Sequence, residues 1–249
     1  MADVHDDLAD APPPLEVPAR VLTIGAHPDD AEFGAGATLA RWAREGSDIT
    51  MCIVTDGSKG SWDADLPTAD LVAQRKEEQS RAAAVLGATR VIHLGAVDGD
   101  LAYSHTLRDE LAGIIRKTKP DVVVTHDPWQ RYQLHPDHRA TGLAATDAVV
   151  VAREPRAMPA SDLEPHRPTA ILLWSADEPD HAEPVDDAGF DVKIEALLCH
   201  ASQSETTMGG ARDAEAARRA FVAKLRSHLE RAGGGFGLGP AETFKRITP

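Results

Sequence analysis

Residues 21–32, VLTIGAHPDDAE, decide how this chain folds. The first five residues form a short apolar run of the kind that builds a buried β-strand. The chain then turns abruptly polar, with His27, Asp29 and Asp30 in quick succession. In open α/β sheets, ligands bind beyond the carboxyl ends of the strands. The stretch therefore predicts a strand that delivers a polar cluster to a binding crevice.

The same alternation of apolar runs and helical periodicity continues along the chain. Further strands are expected at 49–54, 90–94, 121–125 and 170–174, and helices at 36–45, 70–86, 107–117, 136–150, 192–200 and 211–231. Strands that alternate with helices form parallel sheets with crossover connections. We predict an α/β fold: a Rossmann-like, doubly wound, mainly parallel sheet flanked by helices. Residues 155–168 and 178–188 are expected to be loops.

Composition limits the classes of function. Residues 1–19 are acidic and proline-rich and are expected to form a flexible tail, with one domain at 20–249. Lys and Arg number 26 against 40 Asp and Glu, a net charge of -14 that argues against nucleic-acid and anionic membrane partners. The N-terminus does not resemble a signal peptide, and Cys52 and Cys199 form no metal or disulfide motif. A cytoplasmic location is expected.

A second polar cluster, His135-Pro136-Asp137-His138, follows the fourth predicted strand. In a doubly wound sheet the strand order reverses between strands 1 and 4, so both clusters should meet in one crevice. A catalytic zinc takes three protein ligands and leaves one position open. His27 and Asp30 can converge on a turn, which leaves Asp29 for a metal-bound water, and one imidazole of the second cluster can complete the site.

Each motif also has a purely structural interpretation. His-Pro-Asp can simply begin a helix, with Asp favourable at its N-terminus. Two such motifs at one predicted switch point favour a metal site instead. His126, at the end of strand 4, and His200 could reach the crevice, but a structural role is favoured for both.

At these residues the sequence resembles the PIG-L/LmbE-like zinc-dependent de-N-acetylases. These are typified by the N-acetylglucosaminyl-phosphatidylinositol deacetylase and include deacetylases of mycothiol and bacillithiol biosynthesis. Supporting matches span most of the chain: 26–32, 55–57, Arg75, Glu78, 135–138, 193–200, 202–203, Glu242 and Phe244. In some members Glu follows the second Asp directly, whereas here Ala31 precedes Glu32. Glu32 is therefore not expected to be a ligand.

The resemblance implies a role for each motif residue. It implies that His27, Asp30 and His138 bind Zn²⁺ and that Asp29 is the general base. It also implies that His135 stabilises the oxyanion or protonates the leaving amine. Asp137 would orient His135.

Substrate contacts are expected from three further residues. Arg75 would bind a hydroxyl or phosphate, as the resemblance suggests, or else pair with Glu78 on its own helix. Trp129 and Tyr132 would stack on a sugar ring, or else pack their loop.

The predicted function is hydrolysis of the amide bond of an N-acyl amino-sugar conjugate, with acetyl as the expected acyl group. The expected partner is therefore a small molecule. An amidase of larger thiol-sugar conjugates, such as mycothiol S-conjugates, is the alternative that the sequence does not separate. A non-catalytic metal or sugar binder is the alternative of another class. A nucleotide-dependent oxidoreductase is disfavoured because Gly-x-Gly-x-x-Gly does not follow strand 1. A homo-oligomer is compatible with the sequence.

Overall fold

The structure, a computed structural model, describes residues 13–158, 161–212 and 214–249. Its strands are β1 Arg20–Gly25, β2 Asp48–Thr55, β3 Arg90–Ala96, β4 Val122–His126, β5 Ala170–Trp174, β6 His181–Pro184 and β7 Ala241–Ile247. Its helices are α1 Asp30–Arg44, α2 Thr68–Leu86, α3 His105–Thr118, α4 Pro136–Arg153, α5 Asp187–Leu198 and α6 Glu215–Gly234, with a 3-10 turn at Ala201–Gln203. None of the described helices is long and apolar enough to cross a bilayer.

One seven-stranded sheet orders these strands β3-β2-β1-β4-β5-β7-β6. β1 to β5 run parallel, and β7 pairs antiparallel with both β5 and β6. The strand order reverses between β1 and β4. This confirms the predicted α/β fold with a mainly parallel sheet, and it sets the ends of β1 and β4 side by side.

Helices cover both faces of the sheet. One apolar core packs α1, α2 and α5 against it, and a second packs α3 and α4 on the other face. The parallel strands β1, β2, β4 and β5 are buried along most of their length because both faces are covered. β3, at the edge, is only partly buried.

The prediction of a loop over 178–188 is wrong, because β6 lies within it. The strand has no apolar run: His181, Glu183 and Pro184 flank one alanine. Burial of its polar side chains is compensated by pairing, since Nε2 of His181 lies 2.6 Å from Oε1 of Glu183 and Arg41 also binds Glu183. The pattern of apolar residues therefore gave no signal for this strand.

The N-terminal segment is described only from residue 13. Leu15 and Val17 pack against the first core, and the backbone N–H of Leu15 donates to Glu183. Residues 1–12 of the predicted tail lie outside the described residues. The domain boundary at residue 20 stays a prediction.

A buried ion pair contacts backbone groups of α1. Nζ of Lys193 donates to the carbonyl of Phe33 and to Glu242, both at 2.6 Å. The Glu242 carboxylate in turn accepts the backbone N–H groups of Ala37 and Thr38. α5 and β7 thus hold the first turns of α1, which carry the residues of the polar cluster.

Candidate metal centre and active site

The two polar clusters meet at the carboxyl edge of the sheet. β1 ends directly before the first cluster, and α1 begins within it at Asp30. β4 ends at His126, and α4 begins within the second cluster at Pro136. Both helices thus point their N-termini at one cavity of about 670 Å³. The cavity lies where the reversal of strand order predicts it.

Three side-chain groups in this cavity converge as ligands of one ion would. Nδ1 of His27 lies 3.2 Å from Nε2 of His138 and 3.5 Å from Oδ2 of Asp30. Nε2 of His138 lies 3.3 Å from Oδ1 of Asp30. Ligand atoms about 2.0–2.1 Å from a tetrahedral zinc are about 3.3–3.4 Å apart. The three residues are therefore close enough to share one cation, with the two Asp30 distances measured to different oxygens of its carboxylate.

Other potential metal-binding groups overlap with this set. Three such groups are present among the described residues: His27 with His135 and His138, Asp30 with His126 and His138, and His27 with Asp98, His135 and Asp137. Nδ1 of His126 accepts the indole N–H of Trp174 at 3.0 Å, and its Nε2 donates to Oδ2 of Asp30 at 3.0 Å. His126 is thus a partner that holds Asp30.

The electrostatics favour an ionised Asp30. Burial alone would raise the pKa of this carboxyl, but His126, His138 and His27 hold the pKa well below its ordinary value. A carboxylate ligand must be deprotonated to bind a metal. Asp30 meets that requirement at neutral pH.

Two carboxylates surround the other nitrogen of His27. Nε2 lies 3.1 Å from Oδ2 of Asp137 and 3.2 Å from Oδ1 of Asp98. Burial opposes protonation of this ring, but Asp30 and Asp98 raise the pKa of His27 to about 10 in the metal-free protein. Acceptors on Nε2 keep a proton there, so Nδ1 is the nitrogen that gives up its proton when a metal binds.

Asp29 has a strained backbone and a carboxylate oxygen that accepts no hydrogen bond from the described residues. Its φ of 95° lies in the left-handed region, which costs a residue other than glycine about 1–3 kcal/mol. It occupies the N-cap of α1, yet its side chain makes no capping hydrogen bond. Oδ2 is buried, has no hydrogen-bond partner among the described residues and lies 3.7 Å from Nη2 of Arg75. Burial raises the pKa of Asp29 to about 6, so the group is ionised at pH 7.

His135 lines the cavity, but its expected contact with the Asp137 carboxylate is absent from the described hydrogen bonds. Nδ1 of His135 accepts the backbone N–H of Asp137 at 3.3 Å, as the N-cap of α4. The Asp137 carboxylate lies on His27 instead. Burial and the neighbouring His27 and His138 lower the pKa of His135, so its ring is neutral at pH 7. Because Nδ1 accepts, the proton of the neutral ring is on Nε2.

Arg75 is buried beside the first cluster and lines the cavity. Its guanidinium donates to the carbonyls of Gly57 and Pro28 at 3.1 and 2.8 Å. The alternative pairing with Glu78 is not formed, because Glu78 binds Gln74 and Ser202. Arg75 therefore supports the backbone of the first cluster as well as facing the cavity.

Trp129 and Tyr132 lie outside the main cavity. They line a neighbouring cleft of about 560 Å³ together with Asp127, Asp177 and Glu178. Trp129 is 62% exposed and Tyr132 is 87% exposed, so neither packs its loop. The same loop turns Gln130, Gln133 and His135 into the main cavity. Stacking of the two aromatic residues on a substrate stays a prediction.

Comparison with known proteins identifies the family that shares these motifs. Residues 22–149, just over half of the chain, match the GlcNAc-PI de-N-acetylase family, PIG-L. The chain belongs to the PIG-L family. The matched residues include both polar clusters and all of the proposed ligands.

Other PIG-L relatives extend the likeness beyond the matched residues. A diacetylchitobiose deacetylase from Thermococcus kodakarensis is 34% identical over 74% of this chain and 70% of its own length. A 1D-myo-inositol 2-acetamido-2-deoxy-alpha-D-glucopyranoside deacetylase from Actinosynnema mirum is 31% identical over 79% and 85%. The structure of the N,N'-diacetylchitobiose deacetylase from Pyrococcus horikoshii superposes with a TM-score of 0.84 at 28% identity, covering 98% of this chain and 89% of that one. These relatives are deacetylases of N-acetylated sugars.

Sequence reasoning missed one side chain of this PIG-L family site and did not favour another as part of it. Asp98 follows β3 by two residues, so the rule that ligands bind at carboxyl strand ends could have found it. For His126, at the end of β4, the sequence allows a place in the crevice but favours a structural role, and the structure places it in the cavity lining. Its contact with Asp30 could not be read from sequence because 96 residues separate the two.

Proposed function

We propose that this PIG-L family member uses zinc to hydrolyse the amide of an N-acetylated amino-sugar conjugate, releasing acetate and a free amine. The observation that carries the proposal is the convergence of His27, Asp30 and His138. Beside them lies the buried Oδ2 of Asp29, which has no hydrogen-bond partner among the described residues. The names of the two curated relatives, which act on diacetylchitobiose and on an acetamido-sugar inositol, support the class of substrate.

The donor set fits zinc. Two imidazole nitrogens and one carboxylate oxygen are ordinary zinc ligands, and three protein ligands leave a coordination position for water or substrate. When bound, zinc supplies positive charge that lowers the pKa of a water molecule and polarises the acyl oxygen. His27, Asp30 and His138 would hold it, with Asp137 and Asp98 keeping the His27 ring in the required tautomer.

Asp29 supplies the base. Its buried Oδ2 accepts a proton from the attacking water as the new bond to the acyl carbon forms. A carboxylate with a pKa near 6 is ionised at pH 7, yet basic enough to hold that proton briefly. The capping role that an N-terminal Asp usually plays would have removed this freedom.

His135 faces the developing negative charge on the acyl oxygen. Its neutral ring offers the Nε2 proton as a hydrogen-bond donor to that charge. The amide nitrogen must gain a proton before the C–N bond breaks. The newly protonated Asp29 supplies it, because the neutral ring of His135 would become an imidazolate if it gave up its Nε2 proton. The products are acetate and the amine.

The experiment compares amine release with and without bound metal. N-acetylglucosamine, N,N'-diacetylchitobiose and an N-acetylglucosaminyl inositol are incubated with the enzyme as purified, after chelator treatment and after zinc is restored. We expect release that chelation abolishes and zinc restores. Activity that survives complete removal of metal contradicts the proposal.

The same assay separates the alternatives. Cleavage of mycothiol S-conjugates but of no simple N-acetyl sugar would favour the amidase. Zinc and sugar binding without any amine release would favour the non-catalytic binder.

A further inference from the structure

A single peptide unit, between Pro28 and Asp29, is held at both ends by side chains of α2. Its carbonyl oxygen accepts from Nη2 of Arg75 at 2.8 Å. Its N–H donates to Oε1 of Gln79 at 3.1 Å. Arg75 and Gln79 are four residues apart and so lie above one another on one helix face. One turn of α2 therefore grips the peptide that precedes the Asp29 side chain.

The orientation of the Gln79 side-chain amide is set by its hydrogen bond to Glu32. Its Nε2 donates to Oε1 of Glu32 at 2.6 Å. A carboxylate only accepts, so the amide must turn its nitrogen to Glu32 and its oxygen to the N–H of Asp29. Glu32, Gln79 and His200 are all fully buried, and Nε2 of His200 lies 3.6 Å from the same oxygen of Glu32.

This arrangement explains how Asp29 keeps its left-handed backbone. A strained conformation persists only where the surroundings determine it from several sides. Here the N–H at φ 95° has a buried acceptor, and the carbonyl before it has a buried cation. The same backbone turns the carboxylate away from capping α1, so that it makes no capping bond.

We propose that Gln79, directed by Glu32, is a positioning residue that aims the carboxylate of Asp29 at the attacking water. The proposal rests on the proposed function, in which Asp29 is the base. Of the described hydrogen bonds, the only one between Gln79 and Asp29 is to the backbone N–H of Asp29. Arg75, by contrast, also faces the cavity and the Asp29 carboxylate. Gln79 is therefore the residue whose replacement tests positioning alone.

The first test replaces Gln79 with alanine. Misplacement of a reacting group by about 1 Å can cost about 100-fold in rate. We expect kcat of Gln79→Ala to fall about 10- to 100-fold, with KM and bound zinc unchanged because His27, Asp30 and His138 are untouched. Gln74→Ala is the matched control: the same residue type on the same helix, bonded to Glu78 and not to residue 29.

A double-mutant cycle asks whether Gln79 acts through Asp29. In an Asp29→Asn background, Gln79→Ala should cause little further loss of residual activity, because the group it positions is already inactive. An equal loss in both backgrounds overturns the proposal. Loss of zinc in proportion to activity also overturns it, because Gln79 would then act on the metal ligands.

A reciprocal exchange keeps the test independent of folding defects. Gln79→Glu alone sets two carboxylates against each other in a buried site, and kcat should fall. Gln79→Glu combined with Glu32→Gln restores one donor and one acceptor in reversed order, with the same net charge. We expect the double variant to recover at least about tenfold of the lost kcat. No recovery, in variants with equal melting temperatures, contradicts the role of Glu32.

Hydrogen exchange at the Asp29 amide separates this proposal from the proposed function. The amide should be protected in the wild type and should exchange faster in Gln79→Ala, with no substrate needed. If the wild type deacetylates nothing but this change in protection occurs, the proposed function fails while the positioning of Asp29 is supported. Unchanged protection overturns the positioning proposal whatever the activity.

Discussion

The carboxylate of Asp137 contacts the ring of His27, with 3.1 Å between Oδ2 and Nε2, although His135 stands only two positions before it in the sequence. The same carboxylate accepts the backbone N–H groups of Gly99 and Leu101 at 2.7 and 3.2 Å. The loop after β3 therefore holds the Asp137 carboxylate in position, and that carboxylate in turn orients the His27 ring. A histidine held in this way presents its other nitrogen to a metal.

Asp137→Asn should weaken zinc binding about 10- to 100-fold, the usual cost of losing a carboxylate behind a metal-bound histidine. Competition with a chromophoric chelator measures the affinity. Asp147→Asn is the matched control, since this carboxylate is exposed further along α4 and bonds only Tyr103 among the described contacts. If zinc affinity were unchanged and kcat lowered, this prediction would be contradicted, and the result would favour a role for Asp137 in orienting His135.

Zinc uptake should release a proton from His27. The pKa of this residue is about 10 in the metal-free protein, so at pH 7 both ring nitrogens are protonated. A metal needs the free electron pair of Nδ1, so the proton must leave, and apparent affinity should rise with pH up to about 10. Titration calorimetry in buffers of different ionisation enthalpy counts the protons. Affinity that is flat from pH 6 to about 9 would contradict this prediction.

Asp29→Asn should lower kcat about 100- to 10,000-fold while zinc content stays the same. Asparagine suits the comparison because it also tolerates the left-handed backbone. In the wild type, kcat/KM should fall as the pH drops below about 6, because protonated Asp29 cannot accept a proton. Bound zinc lowers that value by its charge, so about 6 is the upper limit for the acid limb. An acid limb that persists in Asp29→Asn would assign it to another group.

The general position of the site could be predicted from the sequence because two short motifs follow two strands that adjoin in any sheet of this winding. The contact partner of each side chain in the site could not be predicted from the sequence. Asp137 binds a ring 110 residues away rather than the ring two positions before it. Alternation of apolar and polar residues gives strand order, but the choice between such partners depends on loop geometry of a few ångströms.

The same limit applies to elements whose polar residues are buried. β6 and the Lys193–Glu242 pair were not predicted, although Lys193 and Glu242 lie in segments that resemble the PIG-L family. Lys193 is 1% exposed and Glu242 is 3% exposed. Burial of charges is stabilised only by contacts that form in the folded chain, so composition and periodicity do not reveal it.

Lys193→Met should destabilise the protein by about 3–5 kcal/mol, because it leaves the buried carboxylate of Glu242 unpaired. The double variant Lys193→Met with Glu242→Gln should be less destabilised, since the amide carries no charge. Denaturant unfolding of both variants measures the difference. Additive losses would show that the two groups do not depend on each other.

Trp129→Ala and Tyr132→Ala should leave kcat/KM for N-acetylglucosamine within about twofold, because both side chains face the cleft beside the main cavity and surface changes rarely propagate. Gln133→Ala, on the same loop but facing the cavity, is the comparison and should lower kcat/KM. A larger conjugate that extends past the loop would contact the aromatic rings, and their stacking would then appear as a rise in KM on substitution. If instead both aromatic variants impair the monosaccharide as strongly as Gln133→Ala does, the loop must move so that Trp129 and Tyr132 close over the bound sugar.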